Sequence, residues 1–304
     1  MSISRRRFLV TSSAAFAAGA LRTVPALAQG TPAQGTFEML RGSVGLFTLR
    51  GGTIGFLITP DGTVVVDAQY PDTAPVCLEG LKARSAGSID LLINTHHHGD
   101  HTGGNQVFRP TVKQIVAHAR VPELQRAAAA AAKTEAAQAY PDVTFTETWK
   151  ADLGAETVSA RHYGPAHTGG DAVVTFERAN VVHMGDLVFN RAHPRVDRPA
   201  GASIANWITT LDRVARDHSD DTLYIFGHGI PRFGVTGRRA DLALMRAYLE
   251  AVLDHARQGI AAGRSRDEIA GLEALPGFSD VAPLVPALSL AAVLGVAYDE
   301  LTAR

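Results

Sequence analysis

A single cysteine, Cys77, among 304 residues excludes an internal disulfide, so cohesion has to come from packing. Its setting, Ala74-Pro75-Val76-Cys77-Leu78, suits a buried, inert thiol better than a reactive one. A serine-nucleophile elbow of the G-x-S-x-G type is missing, as is a phosphate-cradling G-x-x-x-x-G-K loop. Neither the covalent acyl-enzyme route nor nucleotide binding therefore has its usual signature. No internal repeat or low-complexity linker divides the chain. A membrane-length apolar run is lacking too. The stretch from Phe8 to Leu21 is shorter than the ~20 residues a span needs, and it contains Thr11, Ser12 and Ser13.

An excess of positive charge is also absent: 29 Lys and Arg face 30 Asp and Glu, for a formal net charge of −1. Residues 1–28 hold Arg5, Arg6, Arg7 and Arg22 and no acid, and they end on Ala26-Leu27-Ala28, a small-residue cleavage site. Ser4-Arg5-Arg6-Arg7-Phe8-Leu9 resembles a twin-arginine export signal, an address read by the export machinery rather than an anchor. Removal of this segment leaves 25 basic against 30 acidic side chains, a net charge of about −5. A mildly acidic domain lacks the basic footprint of a nucleic-acid binder. The expectation is a periplasmic or secreted protein cleaved near Ala28, with no stable membrane anchoring and a small-molecule substrate.

What is present is concentrated in Thr95-His96-His97-His98-Gly99-Asp100-His101-Thr102. This segment follows Ile89–Asn94, an apolar run with the length of a buried strand. It sets His96, His98, Asp100 and His101 on one short loop. Neutral imidazole and ionised carboxylate both bind zinc at roughly 2.0–2.2 Å, and a strand end holds such ligands rigidly. The same pattern recurs downstream. His167 and Asp171 lie in Gly164-Pro165-Ala166-His167-Thr168-Gly169-Gly170-Asp171. Asp186 ends Val181-Val182-His183-Met184-Gly185-Asp186, and His228 ends Leu223-Tyr224-Ile225-Phe226-Gly227-His228. In each case a glycine beside the polar residue permits a sharp turn and leaves room for a metal and its substrate.

With H-x-H-x-D-H at 96–101, then His167, Asp186 and His228 in that order, the chain resembles the metallo-β-lactamase superfamily. The resemblance covers essentially all of the chain after the leader. It implies a four-layer αβ/βα sandwich of two mixed β-sheets flanked by helices (α/β, α+β). It also implies two zinc ions, one held by His96, His98 and His167 and the other by Asp100, His101 and His228, with Asp186 bridging them. A bridging Asp is similar to the thioesterase-like and lactonase-like members, whereas metallo-β-lactamases in the strict sense usually lack it. The implied chemistry is attack by a metal-bridging hydroxide on an ester, thioester, lactone or lactam carbonyl. Ions roughly 3.5–4 Å apart would present the hydroxide, and Asp100 would both ligate and orient it, making it the chief catalytic candidate. The alternative is a sulfur (persulfide) dioxygenase of the same superfamily with one iron, in which His101 and His228 go unused. A non-catalytic metal-binding accessory protein is a third possibility.

Around this set, Asp171 is open between orienting a ligand histidine and stabilising a turn. His97 is open between a structural and a supporting role. His183 reads as a hydrogen-bonded core histidine, and His118, His218 and His255 as ordinary. Arg191, His193 and Arg195, in a proline-kinked polar stretch after Asp186, are candidates for binding an anionic substrate group. The organisation expected is a leader over 1–28, a disordered lead over 29–36 and one catalytic domain over 37–304. Within that domain the sequence predicts central strands at 63–67 and 89–93 and helices near 72–84 and over 128–137. Short strands are expected from 145 to 160. Core-facing helical stripes run through Ile204, Trp207, Leu211 and Val214, and through Leu242, Met245, Leu249, Val252 and Ala256.

Overall fold

Alternation within Gly62-Thr63-Val64-Val65-Val66 decides the layering. In a strand successive side chains face opposite sides. Val64 and Val66 enter one apolar core with Leu91 and Ile93, while Val65 enters another with Leu92, Cys77 and Leu81. The computed structural model describes residues 34–85 and 87–303. The leader expected over 1–28 lies outside them, and of the expected lead Thr36 already belongs to a strand.

The first sheet orders β1 (Thr36–Arg41), β2 (Val44–Thr48), β3 (Ile54–Thr59), β4 (Gly62–Val66), β5 (Ile89–Asn94), β6 (Val112–His118) and β7 (Val143–Phe145) side by side. Its pairing is antiparallel as far as β4 and parallel from β4 to β7. The second sheet holds β8 (Thr148–Leu153), β9 (Glu156–Arg161), β10 (Val173–Phe176) and β11 (Val181–His183). Two further strands, β13 (Leu223–Ile225) and β15 (Thr236–Gly237), complete it in the order β15-β13-β11-β10-β9-β8. A short parallel pair, β12 (Phe189–Asn190) with β14 (His228–Gly229), stands apart.

Three apolar cores define four layers. α1 (Ala74–Lys82), a one-turn α2 (Gly99–Thr102) and α3 (Asn105–Phe108) follow β4 and β5. Cys77, Leu78 and Leu81 of α1 and Phe108 of α3 cover one face of the first sheet. The inner faces of the two sheets meet through Val64, Ile93, Val174, Val181 and Ile225. After α4 (Val121–Ala132), the helices α5 (Ile204–Asp217), α6 (Arg239–Ala261), α7 (Arg266–Ala270) and α8 (Leu290–Thr302) follow. Their residues Trp207, Leu211, Leu249, Val252 and Leu294 pack with Val182 and Tyr224 on the second sheet's outer face. Each such fully buried Leu or Val contributes about 1.5–3 kcal/mol. This is the four-layer α/β sandwich expected, with both sheets mixed.

The helical stripes at 204–214 and 242–256 are buried as expected. α5 starts where the Ser203 side chain accepts the Asn206 N–H, an ordinary N-cap. The alanine-rich run behaves differently from the expectation. Its helix begins earlier, at Val121, and ends at Ala132, because Lys133 adopts a left-handed conformation with φ 56°. Only a 3-10 turn follows, over Glu135–Ala137. Cys77 is fully buried, and burial pushes its thiol well above the ordinary range, as suits inert packing. Among the described residues no helix is long and apolar enough to cross a membrane.

Candidate metal centre

Local conformation sorts the 95–102 segment. Beyond β5 the chain bends through Thr95, His96 and His97 and is extended again at His98 (φ −62°, ψ 148°). His96 and His98 converge, and His97 is left outside their focus. At Gly99 the chain enters α2, closed by His101 N–H to His98 O at 3.0 Å and Thr102 N–H to the same oxygen at 2.9 Å. That turn carries Asp100 and His101 to a second focus.

At the first focus, His98 Nδ1 lies 3.0 Å from His96 Nε2 and 2.9 Å from His167 Nε2. Asp186 Oδ2 lies 3.7 Å from His96 Nε2 and 3.5 Å from His167 Nε2. Four donors held at 2.0–2.1 Å around a tetrahedral cation stand roughly 3.3–3.4 Å apart, a spacing this quartet approaches. At the second focus, His228 Nε2 is 3.1 Å from Asp100 Oδ2 and 3.4 Å from His101 Nε2. Asp186 joins the two: its Oδ1 is 3.0 Å from His101 Nε2 and its Oδ2 is 3.4 Å from His228 Nε2. Asp186 Oδ1 is nonetheless buried without a hydrogen bond. Leaving a buried polar atom unmet costs about 1–3 kcal/mol, and more when it is charged. A cation satisfies it directly, and a nitrogen-and-oxygen donor set without sulfur suits zinc or iron.

The electrostatics agree. Burial pushes His96 well below the usual imidazole range and His167 down to about 3, so both keep free lone pairs. At the other focus burial is outweighed by carboxylates. Asp186, Asp67 and Asp100 hold His101 well above its usual range, and Asp186 with Asp100 lifts His228 to about 9. Burial also works against ionised Asp100 and Asp186, but the facing imidazoles, His101 foremost, hold both carboxyls well below the usual range. A potential that retains protons on two buried imidazoles also attracts a divalent cation, which takes the protons' place.

Residues outside the motif aim these groups. Asp67, at the end of β4 in a left-handed conformation (φ 66°), accepts from His101 Nδ1 at 2.7 Å, Thr95 Oγ1 at 2.7 Å and Thr95 N at 2.8 Å. Asp197 lies 2.8 Å from His98 Nε2 and accepts its proton. This bond fixes the tautomer that leaves Nδ1 free. His167 Nδ1 donates to the Arg195 carbonyl at 2.8 Å. The Trp207 indole N–H donates to Leu187 O at 3.0 Å and so pins the turn that carries Asp186 against α5. His228 stacks on Phe189, its ladder partner, at 5.3 Å. Sequence reading missed Asp67 and Asp197. Asp67 was discoverable, because Val64-Val65-Val66-Asp67 has the same apolar-run-then-acid form as the ligand segments.

Asp197→Asn keeps the shape of the side chain but weakens its hold on His98. Loss of such a supporting contact typically costs 10- to 100-fold in metal affinity. The expected result is metal retention about tenfold weaker in chelator competition, with the fold intact by circular dichroism.

Two of the expected substrate contacts, Arg191 and His193, need correction, and of the two roles left open for Asp171 its contacts match the turn. The Asp171 carboxylate accepts from Thr168 N at 2.8 Å and Thr168 Oγ1 at 2.6 Å and, among the described residues, bonds no imidazole. It closes the turn after His167, and burial raises its carboxyl to about 7. Arg191 turns from the cleft towards α6, where it meets Asp241 at 3.4 Å. His193 is buried, its Nδ1 2.8 Å from the Tyr248 hydroxyl. Of the three expected substrate contacts only Arg195 lines the cleft, a space of about 590 Å³ that also exposes Arg50, Tyr70, Asp100 and His228. His183 is a core histidine, donating to Thr53 O and accepting from Gly185 N–H.

The metallo-beta-lactamase superfamily model matches residues 47–228, a span that takes in all seven clustered histidines and aspartates. A probable metallo-hydrolase of Methanocaldococcus jannaschii is 27% identical over 184 residues, 57% of this chain and 86% of that protein. A hydroxyacylglutathione hydrolase of Methylococcus capsulatus is 26% identical over 212 residues, 68% of this chain and 75% of that protein. In fold, a metallo-beta-lactamase from Pontibacter korlensis superposes with a TM-score of 0.58 at 21% identity, over 71% of this chain and 99% of that one. The sandwich, the convergent histidine–aspartate cluster and the family match agree: the chain belongs to the metallo-beta-lactamase superfamily.

Proposed function

We propose that the protein is an exported dinuclear zinc hydrolase acting on an ester, thioester, lactone or lactam carbonyl of a small molecule. The observation that carries this reading is Asp186, whose two buried oxygens face both groups of donors at 3.0–3.7 Å. His96, His98 and His167 would hold one ion, Asp100, His101 and His228 the other, and Asp186 would be shared. Bound there, zinc supplies Lewis acidity and brings the pKa of a coordinated water to about 7. The chain's own groups do the rest. Asp100 is, with His228, among the more exposed of the seven, its side chain 23% accessible, and it is the acid that meets a substrate. Its Oδ2 faces His228, and its carboxylate is assigned to ligate the second ion and to orient the attacking hydroxide. Phe189 and Trp207 stand 5.7 and 5.6 Å from the His167 ring and pack it in place. Likeness to a hydroxyacylglutathione hydrolase supports hydrolysis. Export rests on Arg5, Arg6, Arg7 and the Ala26-Leu27-Ala28 site.

The test is turnover of a chromogenic cephalosporin, a lactone and a thioester by the metal-loaded protein, wild type against Asp100→Asn. At least one substrate should be hydrolysed. The variant should keep its melting temperature and lose roughly 10²-fold or more in rate, the scale on which misplacing a reacting group lowers turnover. Undiminished turnover in the variant removes Asp100 from the mechanism. Oxygen consumption with one iron per chain, and no hydrolysis, replaces the hydrolase reading with the sulfur-dioxygenase one.

A further inference from the structure

The cleft over the cluster is polar on its floor and apolar on one wall, formed by Leu284, Val285, Ala287 and Leu288. This wall is held at both ends. Ala282 forms a parallel bridge with Ala192, its N–H donating to Arg191 O at 3.0 Å and its carbonyl accepting from His193 N at 3.2 Å. At the other end Ser289 caps α8 by accepting the Ala292 N–H. Between these anchors Pro283 and Pro286 fix φ, and Leu288 N–H to Val285 O at 2.9 Å closes a turn. Leu284 and Leu288 are half-buried against the core of α5, α6 and α8, which leaves Val285 projecting at 51% exposure. Among the described residues the only other large hydrophobic so exposed is Met39, on the edge strand β1 and outside the cleft lining.

We propose that Leu284, Val285 and Leu288 form an acyl subsite, so that the substrates are esters, thioesters or lactones with an apolar acyl chain. The inference rests on the hydrolase reading and deepens it. The apolar wall and the reactive floor belong to one cavity, so a carbonyl seated near Asp100 and His228 directs its substituent along Val285. At about 590 Å³ the cavity falls within the roughly 300–1,000 Å³ of small-molecule sites, with room for a chain as well as a carbonyl. In the reaction, water oxygen bonds to the acyl carbon, the bond from that carbon to the leaving oxygen or sulfur breaks, and a proton passes to the leaving alcohol or thiol. The wall takes no part in these steps and acts by binding the chain.

The experiment compares 4-nitrophenyl acetate, butyrate, hexanoate and octanoate on the metal-loaded protein, with acetate and octanoate as competing ligands. Burying methylenes predicts roughly two- to fourfold in kcat/KM for each one added, carried mainly by KM, and octanoate inhibiting far better than acetate. Val285→Asn should flatten that slope by at least half, whereas Met39→Asn should leave it unchanged. Equal kcat/KM from acetate to octanoate overturns the subsite while the hydrolase reading stands. Equal flattening by the Met39 variant overturns the assignment to this wall. Octanoate binding that depends on Val285, with no ester, thioester or lactone hydrolysed, overturns the hydrolase reading and with it the substrate class.

Discussion

Asp186→Asn is expected to release at least one metal ion and to lower turnover by between about 10² and several 10³. The carboxylate sits among His96, His101, His167 and His228 at 3.0–3.7 Å and is almost wholly buried. Removing one partner from a buried charge cluster costs about 3–5 kcal/mol, because the remaining charges are left without compensation. The amide keeps the volume but puts N–H groups against imidazole nitrogens that should be accepting a cation. Elemental analysis and turnover on the same preparation check this. Wild-type metal content in the variant shows that Asp186 is not shared.

The second large effect is steric. A Cβ at Gly227 would lie 2.0 Å from Asp186 Oδ1 and 2.8 Å from the Gly185 carbonyl group. Gly227 cannot withdraw, since its N–H donates to Gly185 O at 2.7 Å and its carbonyl accepts from Thr53 N at 2.9 Å. Gly227→Ala therefore either displaces Asp186 or breaks these ties. Overpacking of this kind costs about 1–3 kcal/mol, occasionally more. In a chain near this size each kcal/mol moves Tm by roughly 2–4 °C. The expected outcome is a Tm lower by about 5–10 °C and reduced metal content. Gly99→Ala supplies the contrast. It lies within the H-x-H-x-D-H motif, yet nothing stands within 4 Å of its Cβ position, so its Tm should stay within about 2 °C of wild type. Comparable losses in both variants would show that the effect at Gly227 is not local crowding.

The parts of the site legible in the sequence are those set by local structure. A bend after β5 followed by a helical turn aims His96, His98, Asp100 and His101 within six positions, and strand ends mark Asp186 and His228. The apolar run Val64–Val66 marks a strand buried on both faces and the helical spacing of Trp207, Leu211 and Val214 marks one buried helix face, while the four-layer arrangement itself comes from the family resemblance. Contacts across long stretches of chain leave no such trace. Asp197 bonds His98 across 99 positions, and that contact does not alter the pattern around it; Asp67, 34 positions from His101, shows its strand-end form but not its partner. The polar run Arg191-Ala192-His193-Pro194-Arg195 shows why composition misleads. It marks a loop near the cleft but not which side chains enter it. The Ala192–Ala282 bridge folds Arg191 and His193 back towards α6 and leaves Arg195 at the opening. The wall at 284–288 has neither helical nor strand periodicity and emerges only where the chain between α7 and α8 crosses the cleft.

The central claim, two cations sharing Asp186, is tested most directly by counting metal ions per chain by elemental analysis of protein purified without added metal. Two equivalents of zinc in the wild type, falling to one or fewer in Asp186→Asn, is the predicted result. A single equivalent that survives the substitution unchanged would contradict it.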